Sequence, residues 1–340
     1  MGSSHRCCHI VPSSMLRKLA QDAALTQQQR DQLMLSADAA AYMRGERSVA
    51  QFNALASTRL SDGVKDREIY DAGGKNRLPG HRVRREGQGP AAEQAANDAY
   101  DSTGTTYDFY LKVLQRNSVD SHGLALISTV HSGKAPNNAF WNGRQMVFGD
   151  ATPNGPFVGS FAGALDVVAH ELTHGVTQYT VPGGGLEYED QSGALNESWS
   201  DVFGSIVKQW AAKQDVAAAN WLIGESIWNP AFGTALRSMK APGTTSKWDD
   251  QPASMPGYVE GGDVHTNSGI PNHAFFLAAT ALGGSSWEKA GPIWYKALAT
   301  LTVRASFADA ARATVDAARA LYGQPEVDAV AGAWREVKVL

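Results

Sequence analysis

The sequence predicts an α+β fold: a β-rich N-terminal lobe, then an α-helical C-terminal lobe, with a short helical leader in front. Three observations predict it. Residues 56–156 are rich in turn signals and carry short apolar strand runs. From Gly159 to the end, apolar residues recur at helical spacing. Residues 6–55 read as polar–apolar helical text with no chemistry of their own. The expected organisation is a leader over residues 1–50, a β-rich lobe over 51–185 that ends with a long helix, and a helical lobe over 186–340. Met1-Gly2-Ser3-Ser4-His5 resembles expression-vector sequence and takes no part in the fold reading.

Composition narrows the function. The 340 residues are 43% hydrophobic and 19% charged, as in a folded enzyme, with a formal net charge of -4. That balance offers no basic face for nucleic acid or an anionic membrane. No apolar run approaches the roughly 20 residues of a membrane-spanning helix. Arg6, Arg17, Lys18, Asp22, Arg30 and Asp31 interrupt the first 35 residues, so no secretory signal is read. Synthesis in the cytoplasm is expected, with export only by a non-classical route. Cys7 and Cys8 are adjacent, which disfavours a structural disulfide.

Element by element, Leu25–Leu35 suits a surface helix, and Asp71-Ala72-Gly73-Gly74-Lys75-Asn76 is a turn between strand-like pieces. Residues 91–119 predict a helix with an aromatic stripe at Tyr100, Tyr107 and Tyr110, read as core packing. Residues 124–130 and 145–148 read as strands. Asn142-Gly143 is a hairpin turn between Phe140-Trp141 and Met146-Val147. Residues 161–179 form a long apolar-periodic helix, stopped at Val181-Pro182-Gly183-Gly184-Gly185. Residues 192–213 predict a second helix with Ser192 as its N-cap. Helices over 270–282, 287–301, 307–321 and 326–337 complete the chain.

The chemistry concentrates in His170-Glu171-Leu172-Thr173-His174. Imidazoles four residues apart share a helix face and can reach one Zn²⁺ at about 2.0–2.1 Å. Glu171 points about 100° round the helix, a place suited to a general base rather than a ligand. The apolar flanks, Asp166-Val167-Val168-Ala169 and Leu172, make this a buried helix, where unpaired histidines are costly. Glu197, in Gly193-Ala194-Leu195-Asn196-Glu197-Ser198-Trp199-Ser200-Asp201, is the best candidate for the third ligand. The glycine-rich break lets its helix return antiparallel. Asp201, one turn on, is a candidate to orient a ligand histidine. A purely structural zinc module would need a fourth protein ligand, and only three stand in credible positions.

These motifs resemble the thermolysin family of metallopeptidases over roughly residues 57–340. Further matches lie in the family's order: Asn138-Ala139-Phe140-Trp141-Asn142-Gly143, Tyr188, Leu236-Arg237-Ser238-Met239 and Asp263-Val264-His265-Thr266-Asn267-Ser268-Gly269. The resemblance implies a zinc site in the cleft between the two lobes, and a zinc-dependent endopeptidase made as a zymogen. It implies catalytic roles for Glu171, Tyr188 and His265. Asn138 and Ala139 are implied to bind the substrate as an added strand, and Arg237 to bind its backbone carbonyl. Apolar Val167 and Leu236 suggest cleavage before hydrophobic residues.

The sequence also departs from the family. Of the acids of a double calcium site, Asp166 and Glu225 remain, with Glu189 or Asp190 as further candidates, while Lys208, Asn220 and Leu222 stand at other positions. Calcium needs six to eight oxygens, so the double Ca²⁺ site is expected to be lost and a single ion is the alternative. Glu260 stands where the family has an aspartate behind its catalytic histidine, and Asp263 is a second candidate for that role. His9-Ile10-Val11-Pro12 resembles the short propeptide of the protealysin-like subgroup, which covers the active site as an intramolecular inhibitor. Here Ser13-Ser14 follow Pro12, where such leaders carry a second proline. The expected maturation cut lies within 44–56, and a thiolate from Cys7 or Cys8 is a candidate zinc cap.

Overall fold

The computed structural model describes residues 8–50 and 63–340, leaving aside the side chains of residues 8 and 43–50. Cys7, the thiol of Cys8 and the side chains of the expected maturation stretch therefore lie outside the described residues. Two compact units divide the chain. One runs to Gly175 and takes in Gly224–Ala235; the other comprises Val176–Ile223 and Leu236–Leu340. Among the described residues, no helix is long and apolar enough to cross a membrane.

The first unit is built on a six-stranded mixed sheet. Its strands are β1 (Cys8–His9), β2 (Arg67–Asp71), β3 (His81–Arg85), β4 (Leu126–Val130), β5 (Ala139–Trp141) and β6 (Met146–Phe148). They lie in the order β1-β5-β6-β4-β2-β3. The Asn142-Gly143 turn forms as the sequence predicts: β5 and β6 pair antiparallel, and Gly143 has a φ of 94°, open to glycine at no steric cost. Helix α3 (Gln94–Leu114) packs against β2 and β4, and its aromatic residues Tyr100, Tyr107 and Tyr110 are buried as expected. The strand β1 was not legible, because two residues are too few for a period-2 pattern. Its place comes from pairing: Cys8 opposes Trp141, and His9 opposes Phe140. Behind it, α1 (Ser13–Leu19) starts after Pro12 and packs on α2 (Gln27–Ala50) through buried Met15, Leu16, Leu19 and Leu33.

The second unit is helical. Helix α4 (Leu165–Thr180) crosses the boundary between the units, which falls after Gly175. Helix α5 (Asp190–Ala212) is buried on nearly every side from Ser192 to Val207, as a central helix must be. It begins two residues earlier than predicted. Glu189 is the residue before the first turn, and Ser192 lies inside the helix with its hydroxyl donating to the carbonyls of Glu187 and Glu189. The serine turned back toward the preceding loop instead of forward to a free amide. Around α5 are the ribbon β7 (Leu222–Ile223) and β8 (Arg237–Ser238), and helices α6 (Val264–Asn267), α7 (Gly269–Leu282), α8 (Ala290–Leu298), α9 (Phe307–Leu321) and α10 (Gln324–Glu336). Trp199 donates its indole N–H to the Trp294 carbonyl at 3.1 Å, and the Trp294 ring stacks on Trp334.

One ion pair ties the edge of the sheet to α3. Arg67 makes two bonds of 2.6 Å to Glu86, and its guanidinium lies 3.6 Å from the Tyr100 ring, with Arg84 at 3.5 Å. The hydrogen bonds from Arg67 hold the Glu86 carboxyl below its ordinary pKa, against a smaller burial effect. A depressed carboxylate stabilises the fold above the unfolded value of about 4.3, and that contribution fades as pH falls through the folded value. Glu86→Gln is therefore expected to cost about 1 kcal/mol near neutral pH, with the gap to the parent closing below pH 4. Thermal unfolding midpoints measured across that pH range check it.

Candidate metal centre

Helix α4 carries its polar chemistry in an apolar setting. Every residue from Asp166 to Thr177 is buried, so each polar side chain among them needs a partner. Thr173 donates to the Ala169 carbonyl at 2.6 Å and lies 2.7 Å from the Tyr110 hydroxyl. Asp166 accepts from the backbone amides of Val167 and Gly224. Glu171 Oε2 accepts the Trp141 amide at 2.9 Å, which aims the carboxylate at the end of β5. His170 and His174 bring their Nε2 atoms to 3.0 Å from each other.

The two imidazole nitrogens and a Glu197 carboxylate oxygen all lie within 4.8 Å of one another, and all three residues are buried. The set fits zinc. Tetrahedral ligand atoms at about 2.0–2.1 Å from an ion stand roughly 3.3 Å apart. The facing nitrogens are close to that spacing. Two imidazoles and a carboxylate are also a donor set that leaves a fourth position open, as a catalytic site requires.

The surroundings of Glu197 are built by α5, α6 and the loop before α5. Tyr188 donates its hydroxyl to Glu197 in a short contact. His265 Nε2 stands 3.3 Å from Glu197 Oε2 and 3.3 Å from the Tyr188 hydroxyl. Burial opposes the imidazolium of His265, but the Glu197 and Asp263 carboxylates outweigh it and raise its pKa above the ordinary histidine value. Of the two carboxylates expected behind His265, Asp263 is seen to bond it. It caps α6 by accepting the His265 amide at 3.0 Å, and the same oxygen lies 2.8 Å from His265 Nδ1. Glu260 instead lines a separate acidic pocket with Glu187, Glu189, Asp190 and Tyr258. The cap geometry decides between them: two residues before the histidine is the position that reaches both its amide and its ring.

Asp201, one turn beyond Glu197, receives the fork of Arg237. Nε and Nη2 donate to its two oxygens at 2.8 Å each. Asn272 donates to the same carboxylate at 2.8 Å. Both charges are out of water, Arg237 at 2% and Asp201 at 0% exposure. The pair fixes the guanidinium plane, a use for which the flat fork of arginine is suited. Asn272 had no signal in the sequence, since a lone asparagine in a helix carries no periodic or motif cue.

At the other end of the predicted set, Asn138 grips the leader backbone at Val11. Its Oδ1 accepts the Val11 amide at 3.0 Å, and its Nδ2 donates to the Val11 carbonyl at 2.9 Å. Ile10 adds a bond from its amide to the Ala139 carbonyl at 3.2 Å. The leader thus lies on β5 as an added antiparallel strand.

Comparison with known proteins agrees with these elements. The family model described as thermolysin metallopeptidase, catalytic domain, matches residues 39–178. The one described as thermolysin metallopeptidase, alpha-helical domain, matches residues 184–339. An extracellular metalloprotease of Pectobacterium carotovorum subsp. carotovorum is 49% identical over 295 residues, covering 83% of this chain and 83% of its own. Protease PrtS of Photorhabdus sp. (strain Az29) is 43% identical over 289 residues, covering 80% and 76%. The structure of a precursor of protealysin, a metalloproteinase from Serratia proteamaculans, superposes with a TM-score of 0.84 at 44% identity. It covers 98% of this chain and 100% of its own.

Replacing Glu197 with Gln removes the one charged donor of the set. Zinc affinity, measured by competition with a chromophoric chelator, is expected to fall by more than the roughly 10–100-fold that loss of an outer-shell partner costs. Asp263→Asn, which leaves the donor set intact, is expected to stay within that range.

Proposed function

This chain belongs to the thermolysin family of metallopeptidases and is a zinc-dependent neutral endopeptidase made as a zymogen; from that premise we propose that His170, His174 and Glu197 hold the zinc, that Glu171 is the general base, and that residues 1–50 are the inhibitory propeptide. Zinc, when bound, supplies Lewis-acid polarisation of the peptide carbonyl and acidifies water. Glu171 takes a proton from the attacking water and delivers it to the leaving nitrogen. The Trp141 amide on Oε2 supports this role by fixing the carboxylate in place. Tyr188 and His265 donate to the oxyanion that develops on the carbonyl. The Asp263 carboxylate on Nδ1 orients the His265 ring and favours its imidazolium, which carries a proton on Nε2. Arg237, held by Asp201, binds a substrate carbonyl on the leaving-group side.

The observation that carries the peptide-binding reading is the leader strand on β5. Asn138 bonds both the amide and the carbonyl of one leader residue, Val11, and Ala139 offers its carbonyl to the amide of the residue before it, Ile10. Those are the contacts a peptide substrate needs, and a leader that occupies them competes with it. The lobes and the propeptide follow the division 1–50, 51–185 and 186–340 in this reading. A hydrophobic residue after the cut bond is the proposed preference, resting on the apolar character of Val167 and Leu236.

The double calcium site has little support. The Lys208 ammonium donates to the Leu222 carbonyl, and the Asp166 oxygens accept backbone amides. The proposal is therefore one zinc and no double calcium site. The Pectobacterium relative's designation as extracellular supports action outside the cell.

Casein hydrolysis tests the reading. Activity is expected to rise when limited proteolysis removes the leader, to vanish with a zinc chelator, and to fall in Glu171→Gln by the 10²–10⁴-fold that general-base catalysis contributes. Asn138→Ala separates the binding claim. It is expected to raise KM roughly tenfold and to weaken inhibition by a synthetic peptide of residues 6–13 by a similar factor, since both lose the same two hydrogen bonds. An unchanged inhibition constant beside a raised KM would show that leader and substrate use different edges.

A further inference from the structure

We propose that Gly193 is a positioning residue for both oxyanion donors, because it is the point at which the Tyr188 backbone and the side chain of Val264, next to His265, close onto α5. The inference rests on the roles proposed above for Tyr188 and His265. Gly193 is buried inside α5, one turn before Glu197 and on the same face. Its helical conformation makes no demand for glycine, and alanine is favoured over glycine in a helix interior. The requirement is space. A Cβ at this position would stand 2.5 Å from Val264 Cγ1, 2.9 Å from the Tyr188 carbonyl carbon and 3.3 Å from the Tyr188 Cα.

These neighbours are not incidental. Val264 is the residue before His265 and the first of the short helix α6. Tyr188 precedes α5 and turns its hydroxyl to Glu197 and to His265 Nε2. The Tyr188 backbone and the side chain of Val264, the residue before His265, are thus both seated against the bare Cα of Gly193. Two of the three contacts are to backbone atoms, which cannot swing aside as a flexible side-chain end can. A methyl group here would push the Tyr188 backbone and α6 outward together. The Tyr188 hydroxyl and His265 Nε2 would move from where they stand, while His170 and His174 stay on α4 and Glu197 on α5. A shift of about 1 Å at the reacting centre is enough to cost roughly 10²-fold in rate.

The test is Gly193→Ala in the zinc-loaded, leader-free enzyme, measured beside Tyr188→Phe, His265→Ala and the double variant Gly193→Ala with Val264→Ala. The readouts are kcat, KM, zinc stoichiometry, and inhibition by a phosphonamidate peptide that mimics the tetrahedral oxyanion. Gly193→Ala is expected to lower kcat roughly 10²-fold and to weaken the phosphonamidate in proportion, with KM within threefold and zinc still at one per chain. The double variant relieves the contact with Val264 and is expected to recover part of kcat. A kcat within twofold of the parent, with zinc retained, would overturn the inference. So would loss of zinc or of cooperative unfolding in both variants, which would make Gly193 a folding residue only. If Tyr188→Phe and His265→Ala leave kcat unchanged, it is the assignment of the donors that fails.

Discussion

The constraint on which this structure turns is the burial of ionised groups in two helices. An unpaired charge taken out of water costs several kcal/mol, so each must be neutralised where it stands. Asp166 and Glu171 are compensated by backbone amides, Asp201 by Arg237 and Asn272. Glu197 has a tyrosine hydroxyl and a histidine whose pKa its own charge raises. For Asp201 and Glu197 the compensating groups include Arg237, Tyr188 and His265, which the proposed chemistry also uses. Folding and function are thereby written in the same residues, and a change that spoils one carboxylate's partner disturbs both.

The second constraint is the open edge of β5. A peptidase that binds its substrate as an added strand must keep that edge available, yet an exposed edge pairs with whatever chain it meets. The leader resolves this with very little structure. A two-residue strand and one asparagine side chain cover the edge, and α1 and α2 anchor the cover behind it. The neighbouring Asn137 also donates to Ser36 of α2 at 3.0 Å, so two consecutive asparagines touch the leader at both its strand and its helix. Such a cover is strong while tethered and weak once cut, as its few contacts no longer act at a high effective concentration.

Much of this was legible in the sequence, and the reasons differ by element. The long helices were readable because apolar periodicity over fifteen or more residues has few competing explanations. The histidine pair was readable because helical spacing alone brings His170 and His174 together, while Glu197 was legible only as a candidate on the second helix. The hairpin at Asn142-Gly143 was readable from the backbone angles glycine permits. Other features depend on contacts between distant residues. β1 is defined by its partner rather than its pattern. Asp263 displaced Glu260 because cap geometry, not distance along the chain, selects the carboxylate that reaches the ring. The role of Asn272 and the steric need at Gly193 arise from what packs against them, which a single sequence does not encode locally.

The central claim is that one zinc ion is held by His170, His174 and Glu197 with a fourth position open to chemistry. Anomalous diffraction at the zinc edge from crystals of the leader-free enzyme tests it most directly. A single peak about 2.0–2.2 Å from Nε2 of both histidines and from a Glu197 oxygen, with no further protein atom in contact, is the result this account predicts. A peak elsewhere, or one closed off by a fourth protein ligand, would contradict it.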